Sequence, residues 1–442
     1  MSTLRPPHSL LLIAALLACA GACSPDQMDD SRGLGASDAG EHDAGAPSAR
    51  GYAVVSGDYS VVSIGVLHPD GELREREIIH SGSATTGLVT ALSGDVLIAN
   101  NESDPGVLTL IDRFRTDVIT RLDLATGQVL GQVKVHTPNA QSGDDAYSSN
   151  PQDYLFIDRD EAWVSRYEPN PDVGEDDPDR GADLIRIDPG DFERTGDRIE
   201  FSAWNDSSIM AYARPGAIVP VGDFVAVGID SMALGFDAAG PGMVALIDLE
   251  AQRVVHMLEM NGLQNCGDVN RVPGERERVA VGCTGFYRGV QRDGSGLAML
   301  KLEDDELVVE HVWRAKDHPS AALTIYGVCA VSATEVVATA AGGVERDDEG
   351  NALQPNDKLF LIDLESGAQD ELLEAGMSYV IGGAAFDAER GLLLVPDATI
   401  DDEQRPTAGV RRYQRSDDGS FDELSITRID DVLPPRHIRV FY

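Results

Sequence analysis

Lysine is scarce in this 442-residue chain, and its scarcity argues against one class of partner. Acidic residues number 75 against 35 lysines and arginines together, and the formal net charge is −40 at pH 7. Only four of the basic residues are lysines, at positions 134, 301, 316 and 358. Nucleic-acid backbones are bound by clustered lysine and arginine, so a surface this acidic repels them. We expect no nucleic-acid partner.

The common catalytic sequence patterns are also missing. No lysine follows a glycine, so the chain has no Walker A loop for nucleotide phosphates. Neither GxGxxG nor GxSxG occurs, and the nine histidines show no HxH or HExxH spacing and no cysteine partners at ligand distance. We therefore expect no nucleotide site and no transition-metal centre.

Long apolar runs are absent as well. The longest, Leu10 to Ala22, covers about 13 residues, short of the roughly 20 that a membrane-spanning helix needs. It follows Arg5 and is typical of a secretory signal. Its end contains the segments LLAC and AGAC, which resemble the bacterial lipobox and end at Cys19 and Cys23. The resemblance implies a signal peptide over residues 1–22 and lipid on Cys19 or Cys23, with ordinary cleavage as the alternative.

Residues 23–50 consist mostly of Ser, Asp, Ala and Gly, with the tripeptide DAG occurring twice. Such a segment has too little apolar area to offset the entropy of ordering it, which predicts a flexible tether. Aspartate follows neither Cys19 nor Cys23. By the enterobacterial sorting rule, this favours the outer membrane over the inner one. The sequence thus predicts a lipid-anchored protein of the cell envelope.

A strand, an Asp/Gly-bearing turn and a second strand recur seven times after the tether. The residues before the seven turns are Leu67, Asp123, Asp188, Asp248, Lys301, Asp363 and Gln414, spaced by 51 to 65 residues. Alternating apolar runs rich in Val and Ile predict strands, and this period is typical of radial β arrays. Each unit contains four predicted antiparallel strands, A to D outward from the axis. Residues 51–442 are therefore predicted to form an all-β, seven-bladed propeller.

The two ends of the predicted propeller complement each other. The first unit begins directly with a B-type strand at 52–58, while the last unit ends with a surplus strand at 436–442. We predict that the surplus strand pairs beside 52–58 and closes the ring, because closure removes exposed sheet edges.

Two groups of proteins resemble parts of this chain. The segment DRFRTDVITRLDLATGQV (112–129) resembles the YncE-like and surface-layer (YVTN repeat) seven-bladed propellers, with an arginine-bearing strand end and an I-D-x-x-T-G type of turn. The resemblance implies the seven-bladed fold. ALSGDVLIAN (91–100) and the region 150–171 resemble uncharacterised myxobacterial lipoproteins, which implies no particular function.

Three cysteines remain beyond the signal, in a compartment that permits disulfides. Cys266 and Cys283 flank the predicted A–B hairpin of the fifth unit, and their midpoint falls inside the turn 273–276. Symmetric pairing about that turn places them opposite one another, within disulfide range. We predict this disulfide and a free Cys329; the alternative is three buried thiols.

Propellers carry function where the B–C and D–A connections gather, and we name this side the mouth face. The strand ends predicted to lie there supply eight candidate binding residues, namely Arg113, Asp153, Tyr154, Arg166, Tyr167, Glu168, Asp230 and Tyr287. A polar and aromatic mouth suits a protein, peptide or saccharide ligand. The alternative is that these residues pair with one another at the strand ends.

An acidic loop supplies three candidate metal ligands. Asp177, Asp179 and Asp183 lie around Gly181, and carboxylate oxygens are the ligands that Ca²⁺ prefers. The loop lacks the terminal glutamate of an EF-hand, and a solvated acidic loop is the alternative.

Three functions follow from these patterns. The missing catalytic patterns favour an envelope-tethered binding or scaffold protein without enzymatic activity. A calcium-assisted hydrolase or lactonase would use mouth acids such as Asp58, Asp153, Glu168 or Asp230. A structural subunit of an outer-membrane assembly is the third function.

Overall fold

In the computed structural model, the chain is described over residues 50–100, 104–136, 147–174, 177–286, 294–318, 323–342, 345–346, 352–353, 356–401 and 405–441. Nearly all regular structure in these ranges is β-strand, and the helical elements are two 3-10 turns, Ser202–Trp204 and Ala315–Asp317. Across the same ranges, no helix is long and apolar enough to cross a membrane.

Seven four-stranded antiparallel sheets form the blades of a closed β-propeller. The first blade contains β1 (Gly51–Gly57), β2 (Val62–Leu67), β3 (Leu73–His80) and the last strand of the chain, β30 (Pro435–Phe441). The second contains β4 (Val96–Ile98), β5 (Val107–Asp112), β6 (Val118–Asp123) and β7 (Val129–Lys134). The third contains β8 (Pro151–Asp158), β9 (Glu161–Pro169), β10 (Gly181–Asp188) and β11 (Glu193–Glu200). The fourth contains β12 (Ala211–Val221), β13 (Phe224–Ala233), β14 (Met243–Asp248) and β15 (Arg253–Glu259).

The remaining three blades repeat this order. The fifth contains β16 (Asp268–Arg271), β17 (Arg278–Thr284), β18 (Ser295–Glu303) and β19 (Glu306–Arg314). The sixth contains β20 (Leu323–Ala330), β21 (Glu335–Gly342), β24 (Lys358–Asp363) and β25 (Gln369–Glu374), with the small ribbon β22 (Glu345–Arg346) and β23 (Ala352–Leu353) inserted in its B–C connection. The seventh contains β26 (Ala385–Asp387), β27 (Leu392–Pro396), β28 (Val410–Arg415) and β29 (Phe421–Thr427). The predicted four-strand units are confirmed, and all seven turn anchors fall on third strands.

The hydrophobic core is divided into seven clusters, one between each pair of neighbouring blades. Strand alternation explains the division, because successive side chains point to opposite faces of a sheet. In β1, Tyr52 and Val54 pack against the seventh blade, while Ala53 and Val55 pack against the second. In each blade the three inner strands therefore bury mostly apolar side chains on both faces.

The ring is closed as the sequence predicted. β30 pairs antiparallel with β1, and Tyr52 lies opposite Val440 and Val54 opposite Ile438. The seventh blade approaches this strand closely, because a Cβ on Gly382 would lie 2.1 Å from the carbonyl oxygen of Arg436. Ile438 is fully buried in the cluster between the seventh and first blades.

A disulfide in the fifth blade joins the segment just before β16 to β17. Cys266 and Cys283 are bonded with an S–S distance of 2.07 Å, and both side chains are fully buried. Cys329 is a buried free thiol, and burial raises its pKa to about 12. The paired cysteines lie opposite each other across the A–B hairpin, as their spacing about the turn implies.

We expect removal of residues 436–442 to lower the free energy of unfolding by at least about 3 kcal/mol. The backbone of β1 would lose its partner strand, and the cluster around Ile438 would open to water. Urea unfolding followed by circular dichroism measures the change. As a control, Leu424→Ala on the exposed outer strand β29 should cost less than about 0.5 kcal/mol. Equal stability of the full and shortened chains would contradict closure by β30.

Candidate functional site

The mouth face brings three of the predicted residues together at the boundary of the third and fourth blades. Tyr167 and Glu168 lie near the end of β9, and Asp230 lies in the second half of β13. The Tyr167 hydroxyl donates a hydrogen bond to Asp230 Oδ2 at 2.9 Å. The backbone N–H of Gly267, in the connection to the fifth blade, donates to Asp230 Oδ1 at 2.8 Å. One carboxylate therefore ties three consecutive blades together.

Burial dominates the protonation chemistry of this pair. It raises the pKa of Asp230 to about 6, although the hydrogen bonds from Tyr167 and Gly267 act in the opposite direction. Burial also raises the pKa of Tyr167 well above its usual value, and the charge of Asp230 adds to that rise. At neutral pH the tyrosine hydroxyl is thus a hydrogen-bond donor to a carboxylate.

Arg214, which sequence reasoning missed, completes the cluster from the first inner strand of the fourth blade. Its guanidinium is fully buried and donates to Glu168 Oε2 at 2.6 Å. Tyr167 and Phe236 flank it, with ring centroids 5.2 and 4.7 Å from the guanidinium carbon. Burial raises the pKa of Glu168, while Arg214 lowers it. The available signal was a lone charge at the start of an apolar strand, opposite Asp230 in register.

Asp153 has a structural position at the inner strands. It is fully buried and accepts hydrogen bonds from the backbone N–H groups of Asn100, Tyr154 and Ile218 at 2.8 to 3.0 Å. The side-chain amide of Asn100 donates a fourth bond at 3.0 Å. Burial raises the pKa of Asp153 to about 6 against these bonds. The carboxylate links the second, third and fourth blades.

Tyr154 does not reach the mouth, contrary to its expected place among the candidate residues. It is 1% exposed and packs in the hydrophobic cluster between the second and third blades. The alternation of β8 is the reason, because Asp153 faces the neighbouring inner strands and the next side chain must turn between blades.

Arg166 occupies the centre of the acidic loop. It is fully buried and donates to both oxygens of Asp183, at 2.8 and 2.7 Å. Its Nη1 also donates to Asp179 Oδ1 at 3.1 Å, which Arg194 contacts at 2.6 Å. Asp177 Oδ1 accepts the backbone N–H of Asp179 at 2.8 Å. The loop carboxylates thus face guanidinium and backbone donors.

No group of three His, Cys, Asp or Glu side chains in the described ranges is arranged to hold a metal ion. Calcium binding therefore stays a prediction from sequence. Of the remaining mouth residues, Arg113 donates to Asp95 Oδ1 at 3.0 Å and to Gln152 at 3.2 Å. Asp58 accepts the backbone N–H groups of Ser60 and Val61. Tyr287 lies outside the described residues.

A pocket of about 260 Å³ opens between the third and fourth blades. One wall is the B–C connection of the third blade, and the other is the connection from β11 to β12. The lining residues are Pro169, Asn170, Pro171, Val173, Arg180, Gly181, Ala182, Glu200, Ser202, Asn205 and Tyr212. Apart from Gly181, named as the centre of the acidic loop, none of these residues was singled out from the sequence, because the pocket combines two separate connections of the chain.

Exposed apolar side chains concentrate on the mouth face. Among the described residues, the exposed large hydrophobic side chains in B–C or D–A connections are Tyr59, Val61, Val89, Phe114, Met210, Leu234, Phe236, Met377, Tyr379 and Val432. The others lie on outer strands or in β8, namely Leu130, Ile157, Val309, Leu424 and Ile426. Within the described ranges, no A–B or C–D turn exposes a large hydrophobic side chain. The two faces of the propeller thus differ in surface chemistry.

The class of protein that this fold defines is the seven-bladed β-propeller, and comparison with solved structures agrees. No protein-family model matches the chain, and no curated protein does. A 6-phosphogluconolactonase candidate from Bacteroides fragilis is 11% identical, with 89% of this chain and 98% of that chain covered at a TM-score of 0.50. A second such candidate, from Bacteroides uniformis, is 11% identical, with 88% and 99% covered at a TM-score of 0.50.

A further similar structure is the β-propeller domain of Cps50 (Swd1) from Myceliophteria thermophila. It is 13% identical, with 78% of this chain and 89% of that chain covered at a TM-score of 0.49. At such identities the two Bacteroides structures establish the fold alone. The activities of these proteins are therefore not transferred to this chain by similarity.

We expect Asp230 to contribute more to the stability of the folded protein as the pH falls from 7.5 to 5.5. Its folded pKa of about 6 lies above the roughly 3.9 of an unfolded aspartate, so the folded state takes up the proton first. The contribution is present at low pH and is lost as the pH rises through 6. Wild type should gain about 1 kcal/mol more than Asp230→Asn over this interval, measured by urea unfolding.

Two features isolate this effect. Burial lowers the pKa of His437, and its opposing contribution is the same in both proteins. Asp58→Asn is the control, because hydrogen bonds from Val61 and Ser60 lower the pKa of Asp58 and keep it ionised in this interval. Identical pH dependence in wild type and Asp230→Asn would show that Asp230 does not titrate here.

Proposed function

We propose that the protein is a non-catalytic binding propeller of the cell envelope, related to the YncE-like and YVTN-repeat propellers that its sequence resembles. The carrying observation is the concentration of exposed large hydrophobic side chains in the mouth connections. Exposed apolar side chains at a rim of polar groups are typical of interaction surfaces. The mouth face is the binding surface in this proposal, and its ligand is a protein, peptide or saccharide.

Arginine–aromatic pairs on the mouth face also support the proposal that it is the binding surface. Arg436 lies 4.4 Å from the ring centroid of Tyr59, and Arg115 lies 5.4 Å from that of Phe114. Both rings remain exposed, at 66% and 53%. Tyrosine and arginine are enriched at interfaces because each combines apolar area with directed hydrogen bonding. The pairs hold large side chains in place before a ligand arrives, which lowers the entropy cost of binding.

The envelope location rests on the N-terminal sequence, which lies outside the described residues. The propeller would be held near a membrane by a lipid on Cys19 or Cys23 and by the tether over 23–50. The outer membrane is favoured over the inner one. Labelling of cells with a palmitate analogue tests the lipid anchor. We expect one of the substitutions Cys19→Ala and Cys23→Ala to abolish the label. An unlabelled wild-type protein would contradict the lipid anchor.

Peptide and glycan arrays probed with the purified chain test the mouth face. We expect wild type to bind at least one array member. We expect Phe114→Ser to weaken that signal about fivefold or more, because it removes apolar area that a bound ligand would cover. Leu424→Ser is the matched control, because the two side chains are 53% and 52% exposed and Leu424 lies on an outer strand. Equal loss in both variants, or no bound array member, would contradict the proposal.

A second measurement separates the proposal from the enzymatic alternative. The same preparation is incubated with lactone and ester substrates, with and without Ca²⁺. The proposal expects no turnover above the buffer rate. Turnover that requires Ca²⁺ and disappears in Glu168→Gln would favour the hydrolase instead.

A further inference from the structure

The pocket between the third and fourth blades contains two asparagines whose orientations are fixed by the fold. Asn205 Oδ1 accepts the backbone N–H of Ala213 at 2.9 Å, and Asn170 Oδ1 accepts that of Asp172 at 3.3 Å. In each case the amide oxygen is held, so the Nδ2 group must point elsewhere. Among the described residues, neither Nδ2 group has a hydrogen-bond partner. The pocket therefore presents two positioned neutral donors.

Tyr212 adds an aromatic surface and a third polar group. It lies at the start of β12, is half-buried, and its hydroxyl has no hydrogen-bond partner within the described part of the chain. Pro169, Pro171 and Val173 form the apolar part of the opposite wall. A few positioned polar groups among apolar and aromatic side chains are typical of small-molecule sites.

Two charged residues line this pocket, Glu200 and Arg180, and each is engaged in interactions of its own. Glu200 Oε1 is 2.6 Å from the guanidinium of Arg198, and its other oxygen accepts the Ser202 hydroxyl at 3.5 Å. Glu200 is thus already paired with Arg198, and its charge needs no bound cation. Anions are disfavoured by the net charge of −40 on the whole chain.

We propose that this pocket binds one ring of a neutral saccharide. Sugar hydroxyls accept from the two Nδ2 groups and from the Tyr212 hydroxyl, while C–H faces of the ring pack on the proline and tyrosine surfaces. The volume of about 260 Å³ lies just below the roughly 300 Å³ at which drug-sized ligands begin to fit, which suits a single ring better than an extended chain. This inference deepens the proposed binding function by naming a site and a ligand class.

Asn205→Asp and Asn170→Asp test the donors. Each substitution keeps the oxygen that accepts a backbone N–H and removes the Nδ2 donor, so the local fold is preserved. Asn261→Asp is the matched control, because it makes the same change in the next D–A connection, at an exposed residue outside the pocket. Tyr212→Phe removes only the hydroxyl.

Saturation-transfer NMR on the full chain measures binding of glucose, galactose, mannose and N-acetylglucosamine, with glucuronate, glucosamine and a proline-containing tetrapeptide as further arms. We expect at least one neutral sugar to bind and its affinity to fall about fivefold in Asn170→Asp and in Asn205→Asp, because the hydroxyl that accepted from Nδ2 must turn to donate to a carboxylate and gives up its own donor bond elsewhere. Asn261→Asp should bind as wild type does. Thermal unfolding of each variant verifies that it is folded.

Several outcomes would overturn the inference. These are binding of none of the neutral sugars, sugar binding that the pocket variants leave unchanged, and binding of the tetrapeptide or a charged sugar alone. They leave the mouth-face proposal standing if Phe114→Ser still weakens array binding. If Phe114→Ser has no effect on the arrays while the pocket variants lose the sugar, the saccharide site stands and the broader mouth-face proposal fails.

Discussion

Pairing of β30 with β1 is the interaction on which the rest of the structure depends. A sheet edge left open exposes a row of unpaired backbone donors and acceptors, and the pairing of β30 with β1 joins the two ends of the ring within one sheet. Closure also encloses the core cluster between the seventh and first blades, in which Tyr52 and Ile438 come from opposite ends of the propeller. Because all blades contact two neighbours, the mouth connections are held on a rigid ring and can vary without loss of the fold.

Buried polar groups fasten the inner strands to one another. Asp153 reaches backbone groups in the second and fourth blades, and Asp230 reaches the fifth. Asp268 does the same between the fifth and sixth blades, accepting the N–H of Val328 at 2.8 Å. Inner strands of different blades are not joined by a common sheet, so carboxylates supply acceptors for their free N–H groups. These aspartates therefore have a structural role, and that role explains their presence at the inner strands without any part in catalysis.

The strands and their closure were predictable because they depend on local alternation and on a period repeated seven times. The candidate site was predictable only in part. Tyr167, Glu168 and Asp230 were found from their places at strand ends, whereas Arg214, Asn170 and Asn205 were not. Their roles depend on contacts between separate blades and connections, for which the sequence contains no period. Tyr154 was misplaced because a single residue of register decides between the mouth and the core.

The asymmetry of the two faces links the fold to the proposed function, since in the described ranges the mouth connections expose large hydrophobic side chains and the A–B and C–D turns expose none. The closed ring holds these connections together on one face. Native-state hydrogen exchange of β1 and β30 tests the ring most directly. A closed ring predicts that the amides of Val54 and Ile438 exchange only through global unfolding, as slowly as those of the central strand β14. Exchange of these two amides orders of magnitude faster than that of β14 would contradict the closed ring.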